Sequence, residues 1–232
     1  MRERSSPPSS RSGTAGVALS VDVVLLAPLQ RQLSILLVRA RAPRARERWE
    51  LPWASAQRGQ ALDQIAHRVA AQALGRAPAW LEQVGAFSAK RHPSESDVSV
   101  AFYGLLAEAV TGAEPRSAWI PADDLPALAP RQGDIVRAAL RQVRERMDQA
   151  PIAFHLLPPT FTLTQLQEVY ELLLGRRLHK ASFRRALHAA WLVEPTDEWR
   201  SEGRGRPAQL FRYAPRKRRS VHRGVRFEGL AG

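Results

Sequence analysis

The chain contains no cysteine, only two methionines and few aromatic residues, at 7%. Without cysteine there are no disulfides, no thiolate metal sites and no cysteine nucleophile, and a reducing, cytoplasmic setting is expected. No run approaches the ~18 consecutive apolar residues of a membrane span. The opening M-R-E-R-S-S-P-P-S-S is polar and lacks the apolar stretch of a secretory signal. Phosphate-cradling G-x-x-x-x-G-K-[ST] loops, zinc spacings and a nucleophile triad are also missing. Acidic side chains are scarce: 22 Asp and Glu stand against 35 Lys and Arg, a net charge of +13. What remains is a 232-residue chain, 44% apolar, enough for one or two domains with a buried core.

The positive charge is concentrated. Between Arg176 and Arg226 there are fifteen Lys and Arg against four Asp and Glu, a surplus of eleven. Such clustering is the footprint of a polyphosphate-binding surface, and equally of a solvated basic face. The pattern beneath the charge separates the two.

Residues 1–15 read as a disordered arm. Val17 to Ala27 is an apolar, β-branched run that Pro28 breaks, and Leu33 to Val38 reads as the second strand of a hairpin. An arginine-rich loop from Arg39 leads to the segment L-P-W-A-S-A-Q-R-G-Q that opens at Leu51. In the helix that follows, Leu62, Ile65, Ala66, Val69 and Ala73 recur at helical spacing, and Gly75 is a natural stop. Strands are expected over Leu81 to Phe87 and Val98 to Ala107, and a closing helix over Asp134 to Met147. Strands on both sides of a helix, then a second helix, give an α/β sandwich.

The order Leu51-Pro52, Gly59, Arg68, Gly75 resembles the Nudix box, a loop and helix whose glutamates hold a divalent metal against a diphosphate. The resemblance spans residues 16–147 and is supported by Phe87, the Arg91-His92-Pro93 turn and the W-I-P-A-D-D-L-P segment. It implies an α/β/α sandwich. The box glutamates, however, fall on Gln60, Val69, Gln72 and Ala73. Mg²⁺ and Mn²⁺ need hard anionic oxygens, and metal-assisted hydrolysis needs the metal. No catalytic residue, metal ligand or cofactor is therefore expected in this half.

After a linker at residues 148–152 the pattern changes. Thr162 and Gln165 make a capping box ahead of a helix lined by Leu163, Leu166, Val169, Tyr170 and Leu173. Gly175 ends it, and a second helix runs from Lys180 to Trp191. Its apolar side is Phe183, Leu187 and Ala190; its other side carries Lys180, Ser182, Arg184, Arg185 and His188. A returning ribbon follows, with Arg204 and Arg206 near its tip. Helix, turn, basic helix and arginine-tipped hairpin make a winged helix-turn-helix, an α+β module over residues 153–215. Residues 216–232 form a basic tail, flexible or adding nonspecific DNA affinity.

From F-T-L-T-Q-L-Q-E-V-Y-E-L-L-L-G to G-R-G-R-P-A-Q-L-F-R-Y the chain resembles the Nudix-related transcriptional regulators of NAD metabolism in bacteria. That resemblance, over residues 16–215, implies a homodimer on a palindromic double-stranded DNA operator. It also implies a nucleotide effector such as ADP-ribose, bound without hydrolysis, and no membrane association. The residues that would touch DNA are Lys180, Ser182, Arg184, Arg185, His188, Arg204 and Arg206. Arg39, Arg41 and Arg91 face a nucleotide or are solvated loop arginines. Trp49 and Trp53 either stack on a base or are partly buried. His92 is a ligand contact or a turn residue, His67 a surface residue, and Asp123-Asp124 a metal site or a turn. The rival reading is a Nudix-type nucleoside-diphosphate pyrophosphohydrolase with an accessory basic domain, using Glu82, Glu95 or Asp97 for metal. An RNA-binding protein ranks last, because no aromatic-laced recognition motif is present.

Overall fold

A computed structural model describes residues 16–40, 48–110, 117–147, 151–201 and 207–215. The expected arm 1–15, the tail 216–232, Arg41, Arg204 and Arg206 lie outside the described residues.

Strands β1 (Leu19–Leu29) and β2 (Gln32–Arg39) form the expected hairpin. Its two turn residues, Gln30 and Arg31, have φ of 48° and 64°. Positive φ at both central positions is the turn geometry that matches strand twist. β1 does not break at Pro28 as the sequence reading has it. Pro28 sits opposite Leu33, next to the closing Leu29–Gln32 pair. In a two-residue hairpin that is a non-hydrogen-bonded position, so the missing N–H removes nothing from the ladder.

Beside β1, in parallel, lies β6 (Val98–Leu105), with β5 (Glu82–Ser88) antiparallel at the edge. β3 (Trp49–Glu50) and β7 (Ser117–Pro121) pair with β2, and β4 (Trp53–Ser55) pairs with β1. Alternation along β1 builds two layers from this sheet. Val21, Val23, Leu25 and Ala27 join Ile65, Ala66, Val69 and Ala73 of α1 (Leu62–Leu74). Val24 and Leu26 join Ile135, Val136, Ala139 and Val143 of α2 (Pro130–Arg146) on the opposite face. A period of two feeding two helices is what makes the α/β/α sandwich. Gly75 ends α1 at φ 74°, a left-handed geometry that favours glycine. α2 starts ahead of the expected Asp134, because Pro130 is pre-set for the first helical position.

The second half contains a 3-10 helix (Ile152–Leu156), β8 (Thr160–Phe161), α3 (Leu163–Leu174), α4 (Lys180–Ala190), β9 (Val193–Arg200) and β10 (Ala208–Tyr213). The Thr162–Gln165 capping box forms reciprocally at α3. β9 and β10 are the ribbon, and β8 adds a third strand through Phe161 opposite Phe211. A two-residue strand carries no periodicity, which is why the sequence reading lacks it.

The halves share one hydrophobic cluster, running from Val24 and Val143 through Leu156 to Leu166, Phe183 and Leu192. Ile152, which the sequence reading puts in the linker, is buried there with Ala153 and Leu156. Trp80 stacks on His155 at 4.9 Å and 10°. The hairpin tip is tied to α3 by an Arg31–Glu168 ion pair of 2.8 Å. Among the described residues no helix is long and apolar enough to cross a membrane.

Candidate nucleic-acid interface and a closed box cleft

The box helix α1 packs against the sheet where a hydrolase would hold metal. Val69 and Ala73 are 3% and 2% exposed, inside the apolar cluster. Gln72 is exposed, and the Gln60 side chain accepts from the backbone N–H of Gln57 at 3.4 Å. Opposite α1, the Trp53 indole N–H donates to Glu50 Oε2 at 2.9 Å, and the Arg39 guanidinium lies 4.0 Å from the Trp49 ring centre. Both tryptophans are half-buried. Together these side chains leave a dent of about 20 Å³, with Glu50 as its one carboxylate among the described residues. The site does not fit a divalent cation, which needs several oxygen ligands. Nor do the alternative carboxylates gather. Glu82 is bound to Arg146 and Gln142 of α2, Asp97 accepts the Ala18 N–H at 2.8 Å, and Glu95 is an exposed turn residue. Among the described residues no group of three or more His, Asp or Glu is placed to hold a metal. Arg39 lines the dent, whereas Arg91 is exposed and does not. Asp123 and Asp124 form an exposed turn, and His67 is on the surface.

His92 opens the β5–β6 turn, its carbonyl accepting from the Glu95 N–H at 3.1 Å, and its ring is turned into the core rather than toward a ligand. Its side chain and that of Asp22 are both 0% exposed, 2.8 Å apart. The Ser94 N–H donates to His92 Nδ1 at 3.1 Å, which leaves the proton on Nε2 to be donated to Asp22 Oδ1. Gln132 Nε2 donates to the same oxygen at 2.9 Å, while its Oε1 accepts from the Leu51 N–H. Ser20 links Asp22 to Ser96 and Ser99, and buried Arg131 donates to both of those serines. This chain of donors and acceptors ties the box loop, the β5–β6 turn and α2 to β1. It is a buried, hydrogen-bonded polar core, the form in which such groups are tolerated.

The basic helix is built differently. Phe183 and Leu187 of α4 are 0% exposed, and Phe183 packs on Tyr170 of α3 with ring centres 5.4 Å apart. That anchor turns Lys180, Arg184, Arg185 and His188 outward, all exposed. Ser182 is partly covered, with its hydroxyl 3.4 Å from an Arg185 nitrogen. No carboxylate is present on α4. Nothing on the helix itself neutralises its cations, so the face suits a polyanion. The wing strands β9 and β10 stand next in the chain, and their tip at 202–206 lies outside the described residues.

Residues 153–213 match the family model of the NrtR DNA-binding winged helix domain. A relative from Acinetobacter baylyi, described as the ADPR responsive transcriptional repressor NtrR, is 32% identical over 206 residues, covering 84% of this chain and 82% of that protein. The chain belongs to the NrtR family of Nudix-related transcriptional regulators. NrtR of Shewanella oneidensis, solved with a 27mer DNA, superposes with a TM-score of 0.72 at 28% identity, over 85% of this chain and 94% of that one. A MutT/nudix family protein from Enterococcus faecalis shares the fold: its TM-score is 0.70 at 21% identity, over 87% of this chain and 89% of that one. This NrtR-family chain is thus a DNA-binding transcriptional regulator, with a Nudix-like α/β/α domain and a winged helix.

In this regulator Glu171 is a positioning residue that sequence reasoning passes over. Its Oε1 accepts from the Leu178 N–H and from Gln167 Nε2, each at 2.9 Å, and Oε2 accepts from Arg177 at 3.2 Å. The carboxylate thereby closes the turn between α3 and α4. Burial alone would raise its pKa, but the Leu178 amide, the Gln167 amide and the Arg177 guanidinium outweigh burial and hold it below the ordinary glutamate value. Glu171 sits on the polar edge of α3, and its key partner lies beyond the turn, so no periodic pattern marks it. Glu171→Ala leaves the Leu178 N–H unsatisfied and is expected to cost about 1–3 kcal/mol, read as a lower Tm, together with weaker DNA binding. A depressed carboxylate stabilises above its unfolded pKa, and the gain is lost as pH falls through the folded one. The Tm gap between parent and variant is therefore expected to close on acidification.

Proposed function

We propose that residues 16–147 form a nucleotide sensor that does not hydrolyse its ligand, and that residues 153–215 read DNA. Two chains form a homodimer on a palindromic operator, controlling NAD-related genes. Lys180, Ser182, Arg184, Arg185 and His188 contact the duplex from α4, with Arg204 and Arg206 from the wing. The observation that carries this reading is the α4 face: exposed cations, no carboxylate, and an apolar anchor behind them. A dimer would place its two α4 helices roughly 34 Å apart, one DNA turn.

The effector is an ADP-ribose-like nucleotide, in line with the Acinetobacter relative described as ADPR responsive. Arg39 and the tryptophans beside it are the groups poised to meet phosphate and base, with Arg91 and Arg41 as further contacts. Entry requires Trp53 and the Arg39–Trp49 stack to move, because the dent of about 20 Å³ holds no nucleotide as it stands. A ligand that stabilises the opened form shifts DNA affinity only through that difference.

The test is a gel-shift series on the promoter beside the protein's own gene, over a range of salt, with and without ADP-ribose. A retarded band that weakens steeply with salt and responds to ADP-ribose is expected. Absence of any band at low salt sinks the DNA-reading assignment. In parallel, ADP-ribose with Mg²⁺ or Mn²⁺ is expected to yield no AMP; clear turnover removes the non-hydrolysing sensor.

A further inference from the structure

A groove of about 770 Å³ runs between the sandwich and the winged helix and shares no lining residue with the box cleft. Its floor is apolar and comes from both halves: Leu33 of β2, Leu140 of α2, Leu156 of the 3-10 helix, and Val169 and Leu172 of α3. Its rim is cationic. Arg31 stands at the hairpin tip, Arg144 on α2, and Arg176 and Arg177 in the turn before α4. Against these four guanidiniums the lining holds three carboxylates, Asp123, Glu168 and Glu171. Glu168 already engages Arg31, and Glu171 already engages Arg177 and the Leu178 N–H. Arg144 uses its Nε on the Leu173 carbonyl at 3.3 Å, at the C-terminal end of α3.

We propose that this groove is a second ligand site, for a small amphipathic anion: a carboxylate or phosphate head on an apolar body. The volume falls within the ~300–1,000 Å³ of small-molecule sites, which favour domain interfaces. The planar guanidinium fork takes carboxylate and phosphate in the same bidentate manner, so the rim selects charge and the floor selects an apolar body. Bound at the rim, the head group competes with Glu168 for Arg31 and with Glu171 for Arg177. The second exchange acts on the turn that aims α4, so occupancy is felt where DNA is read.

The probe is anilinonaphthalene sulfonate, an apolar aromatic body with one anionic head, titrated by fluorescence into the full-length protein in saturating ADP-ribose. Saturable binding of one probe per chain is expected, displaced by octanoate or by phenyl phosphate, whichever head group the rim prefers. Arg144→Gln is expected to weaken it about tenfold, the loss of one charge-assisted contact. Ala122→Trp, which fills the groove from the sandwich side, is expected to abolish it, and Arg137→Gln, outside the lining, to leave it unchanged. Where Ala122→Trp does not fold, as judged by its Tm, the Arg144→Gln result decides alone. Saturating probe is expected to shift DNA affinity at least about fivefold, the low end of allosteric couplings. Probe affinity equal to that of the parent in the folded variants, or no saturable binding at all, overturns the proposal. So does binding that leaves DNA affinity unmoved.

Discussion

Replacing Arg184 and Arg185 together by alanine is expected to weaken duplex binding by about a hundredfold or more. Each guanidinium can make charge-assisted hydrogen bonds worth roughly 1.5–3 kcal/mol, and two such losses multiply. The slope of log affinity against log salt should also flatten by about two, one for each phosphate contact removed. The fold should survive, because both side chains are exposed and the anchors Phe183 and Leu187 are untouched. Fluorescence anisotropy with labelled duplex over a salt series measures both effects. The single variants then divide the roles. A residue on phosphate weakens binding to all sequences alike, and a residue on a base edge relaxes specificity at one position. If the double variant binds as tightly as the parent at matched salt, α4 is not the face that meets DNA.

Asp22→Ala is expected to cost about 3–5 kcal/mol of folding stability, the penalty for removing one member of a buried charged network. His92 and Gln132 both donate to Asp22 Oδ1, and the alanine strands both. Arg131 also loses the anion that faces it through Ser20, Ser96 and Ser99. Because a whole domain is stable by only ~5–15 kcal/mol, the variant should melt far below the parent. Asp22→Asn keeps an acceptor for His92 and should fall between the two. Urea unfolding gives the values; a loss under about 1 kcal/mol for the alanine variant would mean that water reaches these groups and replaces Asp22.

Parts of this molecule that depend on local spacing were legible. The apolar, β-branched run from Val17 to Ala27 foretold a hairpin strand, although not which of its residues would face α1 and which α2. Thr162 and Gln165 marked the start of α3, and Gly75 the end of α1. The missing carboxylates at Val69, Gln72 and Ala73 are a matter of residue type and are plain in the sequence. What fills the vacated space is not. The Trp53–Glu50 contact and the Arg39–Trp49 stack depend on how β3 and β4 pair, and those strands are too short to read. The polar core was illegible for another reason: Asp22 meets His92 across 70 positions and Gln132 across 110. A lone buried aspartate inside an apolar strand carried the one available hint, because a charge in such a place needs partners. Pro28 misled for the opposite reason. It is a breaker in general, and harmless at the one register position it occupies.

The continuous cluster from Val143 through Leu156 to Leu166 has a consequence for how such regulators can be rearranged. A graft that joins this sensor to a foreign DNA-reading half at residue 150 would bring mismatched shapes to the seam and leave oily side chains in water. The half carrying α4, expressed by itself, would show the same bare flank and tend to clump. The segments on either side of that seam have to be inherited together, so exchange of specificity between relatives is confined to outward-facing positions of α4 and the ribbon.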